Sequence, residues 1–262
     1  MTIVPNYTKQ KLEAGELVVA FNVVHWRGVG VAKLAKSLGF DWLFIDNEHN
    51  TMGVDDAAQI CVAALDAGVT PIVRAAGHEG FHATRALDGG AMGIVVPHVN
   101  SVEEAREVVN NCKFPPVGHR SLTAPAPQLG YAPTPVAEAI EVLNENTLVT
   151  VMLETPHAID LADEIAAVEG VDILMIGAND LLAEMGLPGQ YGHEKLATAF
   201  ETMCAATKKH GKHAGMGGVY DHALMEKFIG MGVRWVLGGS EISFIMAAAK
   251  SRVDFLRTVK LD

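Results

Sequence analysis

The chain has 262 residues, 49% of them hydrophobic and 19% charged, which suits one large domain with a sizeable core and excludes a disordered chain. A formal net charge of -11 argues against nucleic acid and anionic membranes as partners. Cys61, Cys112 and Cys204 are odd in number and far apart, so neither a CxxC metal site nor a disulfide framework is expected.

Residues 1–11 contain no apolar signal core, and no apolar run approaches the ~18 residues of a membrane span, so a cytoplasmic protein is expected. From there the chain repeats one unit: an apolar strand, a short loop and a helix of 3.6 periodicity. Strands are predicted at 17–24, 42–45, 71–73, 93–96, 148–153, 173–176, 213–216 and 235–237. Helices are predicted at 31–38, 55–66, 80–88, 102–111, 158–168, 194–210, 223–231 and 242–258. Asp55 and Ser101 read as N-caps, with Glu104 placed for a capping box, and Gly68, Gly170, Gly211 and Gly232 read as C-caps. The strands are continuous Val/Ile/Leu runs, the mark of a parallel sheet buried on both faces. Eight such units close most naturally into a (β/α)8 TIM barrel occupying 1–262 as a single domain. A doubly wound open sheet is the alternative, but no GxGxxG follows the first strand. One insertion breaks the rhythm: 114–135 carries six prolines and is expected to cover the barrel mouth or to pack at a subunit contact.

In a parallel barrel the active site lies at the C-terminal strand ends. Those ends deliver Asp46-Asn47-Glu48-His49, Arg74, Pro97-His98, Glu154, Gly177-Ala178-Asn179-Asp180, Gly217-Gly218 and Gly238-Gly239-Ser240. Glu154 and Asp180 are the candidate metal ligands, since two carboxylates without Cys favour Mg²⁺ or Mn²⁺; the alternative is that each caps the following helix. Arg74 can pair an anionic oxygen that develops during reaction, or form a salt bridge to Asp46 or Glu48. Asp46 and His49 read as a dyad in which the carboxylate orients the imidazole. Backbone N–H groups at Gly177 and Ala178 can approach a substrate carboxylate, whereas the later glycine pairs read as tight turns, with late-strand phosphate-binding turns as the alternative. His98 and His213 lie at barrel ends without an evident partner.

These motifs, Asp46-x-Glu48-His49, Arg74, Gly93-Ile94-Val95-Val96-Pro97, Glu154-Thr155 and Gly177-x-x-Asp180-Leu181, resemble in order those of the HpcH/HpaI aldolases. That family comprises metal-dependent class II pyruvate aldolases such as 4-hydroxy-2-oxoheptanedioate and 2-keto-3-deoxy-sugar-acid aldolases. The resemblance implies a (β/α)8 barrel with Mg²⁺, Mn²⁺ or Co²⁺ on Glu154 and Asp180, and Arg74 steadying a pyruvate enolate. It also implies a His49–Asp46 dyad moving protons through a water, and the pyruvate carboxylate on backbone near Gly177, Ala178 and Asp180. Members commonly exchange their last helix and form homohexamers as trimers of dimers. Three departures stand out: Met152 for a frequent Gln, Asn47 for a frequent Gly, and Ser121-Leu122-Thr123 for a Gly-rich turn.

The expected activity is reversible cleavage of a 4-hydroxy-2-oxo acid into pyruvate, or hydroxypyruvate, and an aldehyde. The alternatives are an acyl-CoA lyase or thioesterase of the citrate-lyase β type and a non-catalytic 2-keto acid binder. A Schiff-base aldolase is disfavoured because no predicted strand contains a lysine.

Overall fold

Each strand of the chain is apolar on both faces, and the two faces are buried against different things. In the computed structural model, which describes residues 3–123 and 125–261, eight parallel strands close in chain order into a barrel. They are β1 (Val18–Val23), β2 (Trp42–Asp46), β3 (Thr70–Arg74), β4 (Gly93–Val96), β5 (Leu148–Leu153), β6 (Ile173–Gly177), β7 (His213–Gly217) and β8 (Val233–Ser240). Residues 1, 2 and 262 of the expected single domain, and Ala124 of the proline-rich insertion, lie outside the described residues.

Side chains alternate along a strand, so every second residue points inward. Trp42, Phe44, Ile72, Val95, Met152, Met175, Trp235 and Leu237 fill the interior, with Trp42 and Trp235 stacked at 3.7 Å between ring centroids. The intervening residues, such as Leu43, Ile45, Val73, Val151, Leu174 and Ile176, pack outward against the helices. Continuing the same alternation puts Asp46, Arg74, Glu154 and Gly177 inward, one layer above Phe44, Ile72, Met152 and Met175. The period of two therefore delivers the polar groups to the mouth while the layer beneath excludes water. Each fully buried large apolar side chain in that layer contributes roughly 1.5–3 kcal/mol.

The surrounding helices are α1 (Tyr7–Glu13), α2 (Gly30–Ser37), α3 (Val54–Ala67), α4 (Gly80–Asp88), α5 (Val102–Cys112), α6 (Val136–Asn146), α7 (Pro156–Asp160), α8 (Ala162–Ala166), α9 (Ala178–Glu184), α10 (Glu194–His210), α11 (His222–Met231) and α12 (Glu241–Thr258). Periodicity does not reveal α1, α6 or α9. The first buries only Thr8 and Leu12, yet it plugs the barrel floor: Leu12 joins the inner cluster and Thr8 Oγ1 donates to the Asp41 carbonyl. The helix expected at 158–168 is two short ones, because Leu161 leaves helical geometry at φ -93°, ψ 8°. Asp55 lies inside α3, whose N-cap is Gly53. Ser101 does cap α5, accepting from Glu104 N–H at 3.1 Å, but the Glu104 carboxylate accepts from Asn100 rather than closing a box. Gly68 and Gly211 are left-handed C-caps as expected and Gly232 caps α11 at φ 126°, whereas Gly170 lies beyond the end of α8.

None of the described residues of the proline-rich insertion lines the cavity at the mouth. Phe114, Ala126 and Leu129 form a separate apolar cluster with Ala139 and Leu143 of α6. Gln128 Nε2 donates to the carbonyls of Leu87 and Ala91, just before β4. That anchors this part of the segment at the end of the barrel opposite the strand C-termini. All three cysteines are free and buried within helices. No helix among the described residues is long and apolar enough to cross a membrane.

Candidate active site

The C-terminal strand ends enclose a cavity of about 290 Å³. Asn22, Asp46, His49, Arg74, Glu154 and Asp180 supply its main polar side chains, over a floor that includes Phe44, Met152, Met175 and Leu237. Asp46, His49, Arg74, Glu154, Gly177, Ala178 and Asp180 all line it, whereas Glu48, His98 and His213 do not. None of the lining residues is a lysine.

Arg74 is the best-determined group. It is 8% exposed, at the end of β3 beside the register partner Asp46 of β2. Its Nε donates to Asp46 Oδ1 at 3.0 Å and its Nη2 to Asp46 Oδ2 at 2.6 Å, a two-pronged fork. Nη1 pairs with Glu48 Oε2 at 2.8 Å, and the guanidinium lies 5.0 Å over the Phe44 ring. Both salt bridges weighed from the sequence are thus present. A guanidinium has five N–H groups, about two of which remain for a ligand.

Asp46 departs from the expected dyad. Its carboxylate is committed to Arg74 and accepts the backbone N–H groups of Glu48 and His49 at 3.0 and 3.3 Å. The His49 imidazole is 59% exposed, and its Nε2 lies 3.7 Å from Glu48 Oε2. The reason is geometric: the chain turns straight after β2, so Asp46 meets the His49 main chain while the ring swings outward. Burial works to raise the Asp46 pKa, but the Arg74 hydrogen bonds and charge and the two N–H groups hold it below the usual carboxylate range.

Glu154 follows β5 directly and is 1% exposed. It does not cap the next helix. Thr155 does, its hydroxyl accepting Ala158 N–H at 3.1 Å. Asp180 sits in the first turn of α9 and makes no cap bond either, so the capping alternative fails for both acids. Burial pushes the Glu154 carboxyl up, countered by His98 and reinforced by the charges of Asp180 and Glu48. Gly177 is required here by close approach, since a Cβ would collide with Glu154 Oε1.

His98 is the residue that sequence reasoning left without a partner, and it has two acidic ones. Its backbone N–H donates to Glu154 Oε2 at 2.8 Å, ring Nδ1 lies 3.2 Å from the same oxygen, and Nε2 lies 3.3 Å from Glu48 Oε1. It adopts φ 53°, a left-handed conformation uncommon outside glycine, so the surroundings impose it. His213, by contrast, starts β7 at the opposite end, and burial lowers its pKa. Asn22 and Tyr220 also line the cavity and went unnoticed. The available signal was a single amide inside the apolar run of β1.

As a donor set, Glu154 and Asp180 offer two carboxylates to a cavity whose lining has no thiol. Among the described residues no group of three or more His, Cys, Asp and Glu side chains is gathered to hold an ion. Two acids with remaining positions for water or a chelating ligand suit Mg²⁺ or Mn²⁺. The mutual repulsion of the acids is what such a cation would relieve.

A family profile described as HpcH/HpaI aldolase/citrate lyase matches residues 30–248. The chain is 36% identical to the 4-hydroxy-4-methyl-2-oxoglutarate aldolase tasA of Hapsidospora irregularis, covering 100% of this chain and 98% of that one. It is 39% identical to the 4-hydroxy-4-methyl-2-oxoglutarate aldolase cghB of Chaetomium globosum, covering 95% of this chain and 90% of that one. The crystal structure of an HpcH/HpaI aldolase from Desulfitobacterium hafniense superposes with a TM-score of 0.91 at 27% identity, covering 96% of this chain and 97% of that one.

Proposed function

Since this chain belongs to the HpcH/HpaI aldolase/citrate lyase family, we propose that it cleaves 4-hydroxy-2-oxo acids reversibly to an aldehyde and pyruvate or hydroxypyruvate, as a divalent-metal-dependent class II aldolase. It is a carbon–carbon lyase. The observation that carries the reading is the convergence, in one cavity, of a buried forked arginine with two carboxylates that cap no helix.

In this reading Glu154 and Asp180 hold Mg²⁺, Mn²⁺ or Co²⁺. Held there, such a cation would supply Lewis-acid polarisation of the 2-keto oxygen. Arg74 presents its remaining N–H groups to the same oxygen. Asp46 and Glu48 fix the guanidinium before the reaction begins, so little reorganisation is needed as charge appears. His49 exchanges the 4-hydroxyl proton through a water at the mouth, where its ring is solvent-exposed. Asp46 acts on His49 through the main chain, which makes it a positioning residue. The backbone at Gly177 and Ala178, beside Asp180, receives the substrate carboxylate. With no lysine in the cavity lining, nothing there could form a Schiff base with substrate.

The reading includes a homo-oligomer. Only the first part of α12 packs on β1 and β8, while Ile245, Met246, Phe255 and Leu256 are 53–66% exposed. A groove lined by Val19, Phe40, Met225 and Gly239 is left where an eighth peripheral helix would cover the barrel. A second copy exchanging its α12 buries both surfaces, and three such dimers make the hexamer. A cytoplasmic setting accords with three free thiols.

The test is a panel in which pyruvate release is followed by coupled reduction to lactate. Turnover of 4-hydroxy-2-oxo acids is the expected result. Hydrolysis of acyl-CoA esters without such turnover would favour the citrate-lyase β-type reading, and metal-dependent pyruvate binding without turnover of either class would favour a binder.

A further inference from the structure

The first residue of α12 carries a carboxylate with no part in the reaction above. Glu241 is 3% exposed. It does not cap its own helix; Ser240 does, in a reciprocal capping box with Ser243. The Glu241 side chain crosses instead to the loop that follows β1. There its Oε1 accepts the backbone N–H groups of three successive residues, Val24 and Trp26 at 2.9 Å each and His25 between them. A carboxylate taken out of water is costly unless hydrogen bonds compensate it, and three N–H groups on one oxygen supply that compensation. They also fix the loop backbone, because successive N–H groups converge only where the chain curls around their acceptor.

Two sets of contacts carry that constraint to the barrel mouth. Val24 and Ser240, beside the joint on the β1 and β8 sides, both line the cavity. Arg27, next along the loop, donates from Nη2 to Thr51 Oγ1 at 3.0 Å and sets Nε 3.5 Å from Asp56 Oδ2 of α3. Thr51 lies two residues after His49, in the connection from β2 to α3. That connection is therefore held from the β3 side by Arg74 on Glu48 and from the β1 side by Arg27 on Thr51.

We propose that Glu241 is a positioning residue of the active site: it gathers the loop at 24–26 and, through Arg27, sets the turn that presents His49 to substrate. This rests on the aldolase reading, in which His49 exchanges the 4-hydroxyl proton. The loop needs an acceptor that reaches it from α12, so glutamine replaces Glu241 in large part and alanine does not. The effect falls on turnover more than on substrate affinity, since Glu154, Asp180 and Arg74 are anchored on other strands.

The experiment compares wild type with Glu241→Ala, Glu241→Gln, Arg27→Ala and the double variant Arg27→Ala, Glu241→Ala. Pyruvate release from a 4-hydroxy-2-oxo acid is followed with Mg²⁺ present, and acrylamide quenching of tryptophan fluorescence without it. Trp26 is 37% exposed whereas Trp42 and Trp235 are 0% exposed, so quenching reports the loop. Glu241→Ala is expected to raise quenching and to lower kcat about ten- to a hundredfold, the cost of shifting a reacting group by ~1 Å, with KM within about threefold of wild type. Glu241→Gln should regain most of that loss and quench as wild type does. Arg27→Ala, which truncates a partly exposed side chain, should lower kcat about fivefold, the worth of one hydrogen bond, and add nothing in the double variant. Unaltered quenching in Glu241→Ala would show that the carboxylate does not hold the loop. An unchanged kcat in Glu241→Ala or Arg27→Ala, a change in KM alone, or fully additive losses would overturn the positioning role. Should Glu241→Ala fail to fold, kcat of Arg27→Ala decides. Wild type that neither releases pyruvate nor exchanges the methyl protons of added pyruvate in D2O overturns the aldolase reading and the positioning role with it, while quenching still decides whether Glu241 holds the loop.

Discussion

Replacing Arg74 by lysine keeps the charge and removes the fork. The guanidinium now makes two hydrogen bonds to Asp46, at 3.0 and 2.6 Å, and an ion pair to Glu48 at 2.8 Å. An ammonium on a shorter head can keep one of these. Hydrogen bonds to charged groups are worth about 1.5–3 kcal/mol each, and Asp46 is 3% exposed, so water cannot easily replace the lost partner. The expected destabilisation is about 1.5–3 kcal/mol, a fall in Tm of roughly 3–10 °C for a chain of this size. The same loss at the transition state would lower kcat by about ten- to a hundredfold, with KM changing less. Differential scanning calorimetry and pyruvate-release kinetics on the same Arg74→Lys preparation measure both. If Tm falls as expected while kcat stays within twofold of wild type, Arg74 is only a structural salt bridge and the enolate role is wrong.

Other perturbations probe separate parts of the site. Glu154→Gln should weaken Mn²⁺ binding at least tenfold in a calorimetric titration without lowering the Tm of metal-free protein, because burial already disfavours that charge. Gly177→Ala should displace Glu154 through the clash with its Oε1 and lower both metal affinity and turnover more than tenfold, with circular dichroism unchanged. The depressed Asp46 pKa stabilises the fold above the unfolded value of 3.8, and that contribution is lost as pH falls through the lower folded value. Urea midpoints between pH 5 and pH 2.5 should therefore fall less steeply in Asp46→Asn than in wild type. Light scattering should find wild type well above the 27.9 kDa of one chain, and Ile245→Glu with Phe255→Asp should shift it toward that mass.

Sequence periodicity exposes the strands because burial on both faces demands unbroken apolar runs, and β2, β3, β5 and β6 are buried at every position. The rim residues follow from those runs by counting in twos. Short elements are a different matter: α1 and α9 have seven residues each, under two helical turns, too few to display a period. The partners of His98 were also out of reach, since Glu48 and Glu154 lie 50 and 56 positions away and meet it only when β2, β4 and β5 curve into one mouth. The Asp46–His49 pairing went astray for the converse reason. Nearness along the chain suggested side chain to side chain, while Arg74, 28 positions on, captured the carboxylate through the β2–β3 register.

Metal removal separates a metal-dependent aldolase from a metal-independent one. The protein is stripped with EDTA, dialysed, and assayed for pyruvate release from a 4-hydroxy-2-oxo acid before and after addition of Mg²⁺, Mn²⁺ or Co²⁺. Stripping is expected to abolish turnover and at least one of these ions to restore it, with Glu154→Gln and Asp180→Asn refractory to restoration. Turnover that survives complete removal of divalent metal would contradict the metal-dependent reading.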